Sequence, residues 1–165
     1  MSDLDKLWAP WRIDYILNPK EEGCIFCDKS DDTNDRENLV LFRGKQNFVL
    51  MNLYPYNNAH LMIAPYEHKS NTHTLQKDTL AEIMQLADDS MMILEKQLLA
   101  QGFNLGANIG SAAGAGIEDH IHFHVVPRWI GDTNYMPVLG HTKVLVEGLL
   151  ETYDKLKPYF DNLNQ

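Results

Sequence analysis

Apolar positions along the chain fall into several short runs and one long stretch with helical spacing. Five runs rich in Val, Ile, Leu and Phe are bounded by turn residues, which is typical of β-strands. These predicted strands are 39–43, 47–52, 60–64, 103–109 and 121–127. Gly44-Lys45 predicts the turn between the first two strands, Pro65 ends the third, and a Gly/Ala-rich loop separates the last two.

A long helix is predicted from about Lys77 to Gln101, where apolar side chains recur every three or four residues. These side chains are Leu80, Ile83, Met84, Ala87, Met91, Leu94 and Leu98. Gly102 suits the end of this helix, because glycine readily adopts the left-handed conformation that often follows a last helical turn. A second amphipathic pattern, from about Lys143 to Leu156, predicts a C-terminal helix within residues 143–160.

Several antiparallel strands with one long central helix and a terminal helix predict an α+β fold. The 165 residues fit one domain, 1–165, with an aromatic N-terminal arm (1–20), a core (24–137) and the C-terminal helix. The polar stretch 28–38 reads as a loop. The arm contains Trp8 and Trp11, which we expect to pack on the body or on a second subunit.

Charge and composition narrow the possible partners. The formal net charge of −9 disfavours a nucleic-acid polymer as ligand, but it permits a small phosphorylated ligand held by backbone N–H groups and histidines. No run of 18 apolar residues predicts a membrane span, and the first residues lack a signal-peptide pattern. We therefore expect a cytoplasmic protein with no membrane partner.

The segment His120-Ile121-His122-Phe123-His124 carries the most chemical information. In a strand, alternate side chains share a face, so the three histidines lie on one face while Ile121 and Phe123 lie on the other. Three interpretations are open: a His-rich solvated face, a metal site made by all three imidazoles, or a nucleophilic site in which one neutral imidazole attacks.

The loop before the histidines favours the nucleophilic site. Residues 108–116 contain three glycines and several small side chains, so the backbone can approach a ligand closely. Successive N–H groups in such a loop can form an anion-binding nest. A flexible linker is the plain alternative, but the loop leads directly into the histidines. A phosphate cradle beside a row of imidazoles suits attack on phosphorus.

The two cysteines of the chain, Cys24 and Cys27, form a CxxC motif. With two histidines from elsewhere they would complete a tetrahedral zinc site. Two buried free thiols are the alternative. A disulfide is less favoured, because no thioredoxin-like context surrounds the motif.

Several segments resemble the histidine-triad (HIT) family. HIHFHVVPR at 120–128 is similar to the family's alternating His signature, and NLYPYNNAHLMIAPYEH at 52–68 is similar to its ribose-site segment. LWAPWRIDYI (7–16), GFNLGANIGSAAG (102–114) and PRWIGDTNYMP (127–137) resemble the branch that contains bacterial diadenosine tetraphosphate phosphorylases. The resemblance covers most of residues 7–137 and is weak in the C-terminal part.

This resemblance implies a five-stranded antiparallel sheet with helices, in a homodimer. It implies that His122 is the nucleophile that forms a nucleotidyl-histidine, that His124 binds the phosphate and that His60 supports the imidazoles. The implied nucleotide-binding residues besides His122 and His124 are Ile25, Phe26 and Leu53 at the base, Asn52 at the ribose, and Asn108, Gly114, Ala115 and Gly116 at the phosphate. The implied ligands of a structural zinc are Cys24, Cys27, His68 and His120. No organic cofactor is implied.

The chain departs from the family pattern just before the histidines. Relatives commonly carry Gln, Ser or Thr there, whereas this chain has Gly116-Ile117-Glu118-Asp119, so backbone groups or Ser111 would have to assist the leaving group. The function we expect is nucleotidyl hydrolysis or transfer at the α-phosphate of adenosine nucleotides such as dinucleoside polyphosphates. The alternatives are an AMP-amine hydrolase, a non-catalytic AMP-binding module and a hydrolase with a catalytic metal on all three histidines.

Overall fold

The computed structural model describes residues 23–132 and 145–164, so the aromatic arm and the segment 133–144 lie outside the described residues. The helices are α1 (Ile25–Asp31), α2 (Lys77–Leu98) and α3 (Leu149–Asp161), and the strands are β1 (Val40–Arg43), β2 (Asn47–Met51), β3 (Leu61–Pro65), β4 (Gly102–Gly106) and β5 (Phe123–Arg128). Short 3₁₀ turns occur at Thr72–Thr74, Ser111–Ala113 and Asn162–Asn164. No helix in the described part of the chain is both long and apolar enough to span a membrane.

The five strands form one antiparallel sheet in the order β1-β2-β3-β5-β4, which confirms the predicted antiparallel α+β fold. β3 pairs with β5 across the long α2 connection, with Met62 opposite His124. This pairing brings the start of β3 beside the histidine segment, although the two are about sixty residues apart in sequence. It therefore places His60, just before β3, beside the histidines of 120–124.

Alternation along the strands gives the sheet two apolar faces. One face carries the main core, in which Leu41, Val49 and Ile63 pack with buried residues of α2 and α3. The other face carries a smaller cluster in which Val40, Phe48, Leu50, Met62 and Ala64 pack around Phe26 of α1. Full burial of an aliphatic or aromatic side chain contributes about 1.5–3 kcal/mol, so both faces favour this register over a one-residue slip.

The helix α2 lies against β3 and β5, and its buried residues include Ile83, Ala87 and Leu94 as predicted. Met84 was predicted on this apolar stripe, but it is half exposed. The prediction that Gly102 ends the helix is wrong. Leu99 adopts the left-handed conformation (φ 53°) after the last turn, and its N–H donates to the Leu94 carbonyl. Gly102 instead begins β4.

Other boundaries also differ from the sequence prediction. The strand β4 ends at Gly106 rather than at residue 109, and β5 begins at Phe123 rather than at residue 121. The C-terminal helix begins at Leu149, so residues 145–148 of the predicted helix are not helical, and its end is Asp161 rather than Leu156 or Phe160. Gly148 is extended there and its carbonyl accepts the Thr152 N–H, which starts the helix. The stretch predicted as a loop from Asp28 is helical to Asp31, because α1 packs Phe26 into the smaller cluster.

Candidate active site

The three histidines of the alternating segment lie on one face of the sheet, as the pattern predicts. His120 is fully buried, and His122 and His124 are only 5% and 9% exposed. Ile121 and Val125 belong to the main core on the opposite face. The ring of His122 lies between those of His124, at 4.9 Å, and Phe26, at 4.8 Å. We call His122, His124 and His60 the histidine row.

Hydrogen bonds fix the neutral form of His122. Its Nδ1 lies 2.9 Å from the backbone carbonyl oxygen of His120, which can only accept, so Nδ1 carries the proton. The lone pair of the neutral ring is then on Nε2. Burial lowers the pKa of His122 below its ordinary value and disfavours the imidazolium. The ring is therefore an uncharged base with a free nucleophilic nitrogen at neutral pH.

A chain of donors fixes the protons of the other two members of the row. The backbone N–H of Tyr56 donates to His60 Nδ1 at 3.1 Å, and the Asn52 amide lies 3.2 Å from the same nitrogen. His60 Nε2 must then carry the proton and donate to His124 Nδ1 at 2.9 Å. His124 is left with its own proton on Nε2.

The Nε2–H of His124 is a buried donor with no hydrogen-bond partner in the described part of the chain. Burial lowers the pKa of His60 to about 3 and that of His124 to about 4, helped in each case by the neighbouring imidazoles. Both rings are neutral at pH 7, so the row offers directed N–H groups rather than positive charge. An unsatisfied buried donor beside a free lone pair is suited to an anionic ligand oxygen.

Four side chains at the other end of the histidine segment form a second group, which we call the cysteine–histidine cluster. Their ligand atoms all lie within 4.8 Å of one another, and they belong to Cys24, Cys27, His68 and His120. Cys24 Sγ is 3.2 Å from His120 Nδ1, and Cys27 Sγ is 3.3 Å from His68 Nδ1. The cluster unites all four residues that the family resemblance implies as zinc ligands.

The donor set of this cluster fits a tetrahedral metal. Zn–S and Zn–N bonds of normal length place neighbouring donors roughly 3.3–3.8 Å apart, close to the observed spacings. His120 Nε2 donates to the Pro65 carbonyl at 2.8 Å, so its Nδ1 lone pair faces the sulfurs. Burial and the hydrogen bond with Cys24 raise the pKa of Cys27 to about 11, which a bound cation would reverse.

The residues assigned to the nucleotide are spread around the row. Ile25 and Leu53 are about half exposed, whereas Phe26 is fully buried against His120 and His122. Asn52 contacts His60. Asn108 follows Gly106, which pairs with His124, by two residues.

The glycine loop lies between β4 and the histidines. Gly110 and Gly114 have φ values of 80° and 79°, which favour glycine. The Gly114 N–H already donates to Ser111, within the 3₁₀ turn. The loop around Ala115 and Gly116 is partly exposed, and Glu118 and Asp119 are exposed.

One residue at the site was missed by the sequence reasoning. Tyr56 lies in the turn before β3, and its ring centroid is 4.6 Å from that of His60 and 5.7 Å from that of His124. The only sequence signal was an aromatic residue in a polar turn four positions before a histidine. Its proximity to His124 depends on the pairing of β3 with β5 and could not be read from that signal.

The fold and the site define a histidine-triad protein. Residues 33–129 match the HIT domain family, and the chain belongs to this family. It is 34% identical to the AP-4-A phosphorylase of Mycobacterium tuberculosis over 92% of this chain and 82% of that protein. It is 26% identical to the adenosine 5'-monophosphoramidase of Saccharomyces cerevisiae, over 74% of this chain and 69% of that protein.

A solved structure shares the fold. The crystal structure of a Zn-bound histidine triad family protein from Mycobacterium smegmatis superposes with a TM-score of 0.69, at 22% identity, over 86% of this chain and 96% of that one. The HIT-like α+β fold expected from the sequence is thereby confirmed.

Proposed function

We propose that this protein cleaves adenosine nucleotides at the α-phosphorus through attack by His122, with dinucleoside polyphosphates as the substrate class. The observation that carries this proposal is the 2.9 Å hydrogen bond from His122 Nδ1 to the His120 carbonyl, which leaves the Nε2 lone pair free. The 34% identity to a protein named AP-4-A phosphorylase supports the substrate class.

The reaction has two displacement steps. His122 Nε2 forms a bond to the α-phosphorus while the bond from that phosphorus to the leaving-group oxygen breaks, and the leaving group takes the electron pair. The imidazole becomes cationic in the intermediate, and the His120 carbonyl that accepts its Nδ1–H stabilises that charge. Water or inorganic phosphate then attacks the same phosphorus, gives up a proton to solvent and restores neutral His122.

The neighbouring groups have distinct roles in this proposal. The His124 Nε2–H, which has no partner among the described residues, donates to a non-bridging phosphate oxygen, and His60 keeps that proton in place through the 2.9 Å contact. A well-placed donor to developing charge is worth about 3–4 kcal/mol in a catalysed step.

The remaining residues of the site bind the nucleotide. Ile25 and Leu53 flank the base with Phe26 beneath them, and Asn52 contacts the ribose. Asn108 and the backbone of Gly114, Ala115 and Gly116 bind the phosphate. Gly114 would exchange its bond to Ser111 for the ligand.

We propose that Cys24, Cys27, His68 and His120 hold a structural zinc ion. When bound, the metal would cross-link α1, the segment after β3 and the histidine segment, and would supply no step of the reaction. We also propose that residues 1–165 are a single domain that acts as a cytoplasmic homodimer. These proposals rest on the cluster geometry and the family resemblance.

Adenosine phosphoramidate hydrolysis is the second candidate, favoured by the 26% identity to a yeast monophosphoramidase. The test is to incubate the protein with diadenosine tetraphosphate, with and without inorganic phosphate, and to separate the products. ADP plus ATP only in the presence of phosphate indicates a phosphorylase, and AMP plus ATP in both conditions indicates a hydrolase. No product from this substrate, with release of AMP from adenosine phosphoramidate, would replace the first candidate by the second. No product from either would leave a non-catalytic AMP-binding module.

A further inference from the structure

Tyr56 stands apart from the other aromatic residue at the site by its exposure. Phe26, beside His122, is fully buried, whereas Tyr56, beside His60 and His124, is 58% exposed. One side of the Tyr56 ring lies against the two imidazoles, with interplanar angles of 39° and 38°. Much of the ring therefore faces solvent, next to the buried His124 donor that lacks a partner among the described residues.

The turn that carries Tyr56 is tied firmly to the sheet. The Asn57 side-chain amide donates to the Pro127 carbonyl and to Asp132, both at 2.9 Å. The Tyr54 N–H donates to the Asn52 side chain, and the Tyr56 N–H donates to His60. These bonds hold the backbone of the turn in place, so little backbone entropy is left to lose when Tyr56 binds a ligand.

An exposed aromatic face lies here beside an N–H group that can donate to phosphate. This arrangement suits a ligand whose phosphate is linked to a further planar group, such as a second nucleobase. Every nucleobase has a π-face, and stacking on an aromatic side chain strengthens binding by about 10-fold per base. A small amine leaving group has no such face. The same surface would therefore discriminate between the two candidate substrate classes.

We propose that Tyr56 is a specificity-determining residue, whose free face stacks on the nucleobase of the departing nucleotide. This inference rests on the proposed function and makes dinucleoside polyphosphates, rather than adenylylated small amines, the favoured substrate class. The backbone N–H of Tyr56, which fixes the proton of His60, is present in every variant at this position. The contribution of the ring can therefore be measured separately.

The test uses binding as well as turnover. In a His122→Ala background, which cannot react, the dissociation constants of diadenosine tetraphosphate and AMP are measured by isothermal titration calorimetry. We expect the dinucleotide to bind about 10-fold more tightly than AMP, and Tyr56→Ala or Tyr56→Leu to remove this difference. Tyr56→Phe should preserve it, since the stacking face remains.

In the protein with His122 intact, Tyr56→Ala should lower the ratio of kcat/KM for diadenosine tetraphosphate to kcat/KM for adenosine phosphoramidate by about 10-fold. An unchanged binding ratio in Tyr56→Ala would overturn the proposal, and so would an equal loss of AMP and dinucleotide affinity. If the intact protein turned over neither compound while Tyr56→Ala still removed the dinucleotide preference in binding, the proposed function would fail and the stacking site would stand. Thermal unfolding of Tyr56→Leu checks that the variants are folded.

Discussion

The cysteine–histidine cluster and the histidine row both use histidine side chains, and they meet in the segment 120–124. The hydrogen bonds of these histidines nevertheless suit them to different chemistry. In the cluster, His120 Nε2 donates to the Pro65 carbonyl, which turns its Nδ1 lone pair toward two sulfurs. In the row, His122 Nδ1 donates to the His120 carbonyl, which leaves Nε2 available instead. The partner of the second ring nitrogen thus decides what each histidine can do.

His120 links the two regions. The side chain of His120 belongs to the cluster, whereas its backbone carbonyl holds the proton of His122 in the row. The regions also differ in the ligand that they suit: the row is neutral and offers the buried His124 Nε2–H to an anion, whereas the cluster brings two thiols together and suits a cation. Four experiments test this division, in decreasing order of expected effect.

Replacement of His122 by alanine should lower kcat/KM by at least about four orders of magnitude, since no other described group offers a free imidazole nitrogen in the row. AMP affinity and metal content should persist. Product release is followed by chromatography and AMP binding by calorimetry. His73→Ala is the matched control, an exposed histidine in the Thr72–Thr74 turn, and should retain full activity. Substantial turnover by the His122 variant would assign the nucleophile elsewhere.

Removal of the two thiols should affect stability rather than chemistry. Cys24→Ser with Cys27→Ser should abolish stoichiometric zinc binding and lower Tm by at least about 10 °C, because the proposed metal would tie α1 to the histidine segment. Metal content is measured by mass spectrometry and Tm by calorimetry, with EDTA-treated wild type for comparison. If the serine variant kept its zinc, or if His122→Ala lost it, the metal would not be held by the cysteine–histidine cluster alone and the division between the two regions would be wrong.

Acid should lower the free energy of unfolding in a pH window that His60 and His124 define. The folded-state pKa values of His60 and His124, about 3 and 4, lie below the ordinary 6.5, so the unfolded chain binds more protons. Stability contributed by the neutral rings is therefore present above pH 6.5 and is lost as the pH falls toward 4. Each ring adds a slope of up to about 1.4 kcal/mol per pH unit.

Urea unfolding between pH 7 and pH 4.5 measures this slope. His60→Asn should reduce it by the contribution of one histidine, whatever its effect on stability at pH 7. Equal slopes in the variant and the wild type would show that His60 is not held neutral by the fold.

The smallest expected effect on activity comes from changing a group that contacts His60 Nδ1. Asn52→Asp replaces an amide 3.2 Å from His60 Nδ1 by a carboxylate, which favours the protonated ring and should raise the pKa of His60. We expect kcat/KM to fall by only about 3- to 10-fold, because the Tyr56 N–H still contacts the same nitrogen. The pKa is read from NMR titration. Asn58→Asp adds the same charge in the same turn and should not shift it.

Local pattern was sufficient for much of this protein. Alternation at 120–124 predicted that three imidazoles share a face opposite Ile121 and Phe123, because alternate side chains of extended backbone point to opposite faces. Helical spacing predicted α2. The prediction that the CxxC pair binds a metal is the one that the zinc experiment tests. The predicted end of α2 was wrong because local pattern does not show which residue closes the last turn. Here Leu99 adopts the left-handed conformation and donates its N–H to Leu94, three residues before Gly102.

Only the tertiary structure decided which ring nitrogens carry protons and which residues each imidazole contacts. The pairing of β3 with β5 places His60 2.9 Å from His124, and the turn at Tyr56 supplies the N–H that directs the His60 proton toward it. His68 reaches Cys27 only when α1 packs on the sheet. The sequence by itself determined which chemical groups are present and which face they occupy, since both follow from residue type and local geometry. Which nitrogen is free, which donor is unsatisfied and which aromatic face is exposed depend on contacts between segments far apart in the chain, and folding alone creates those contacts.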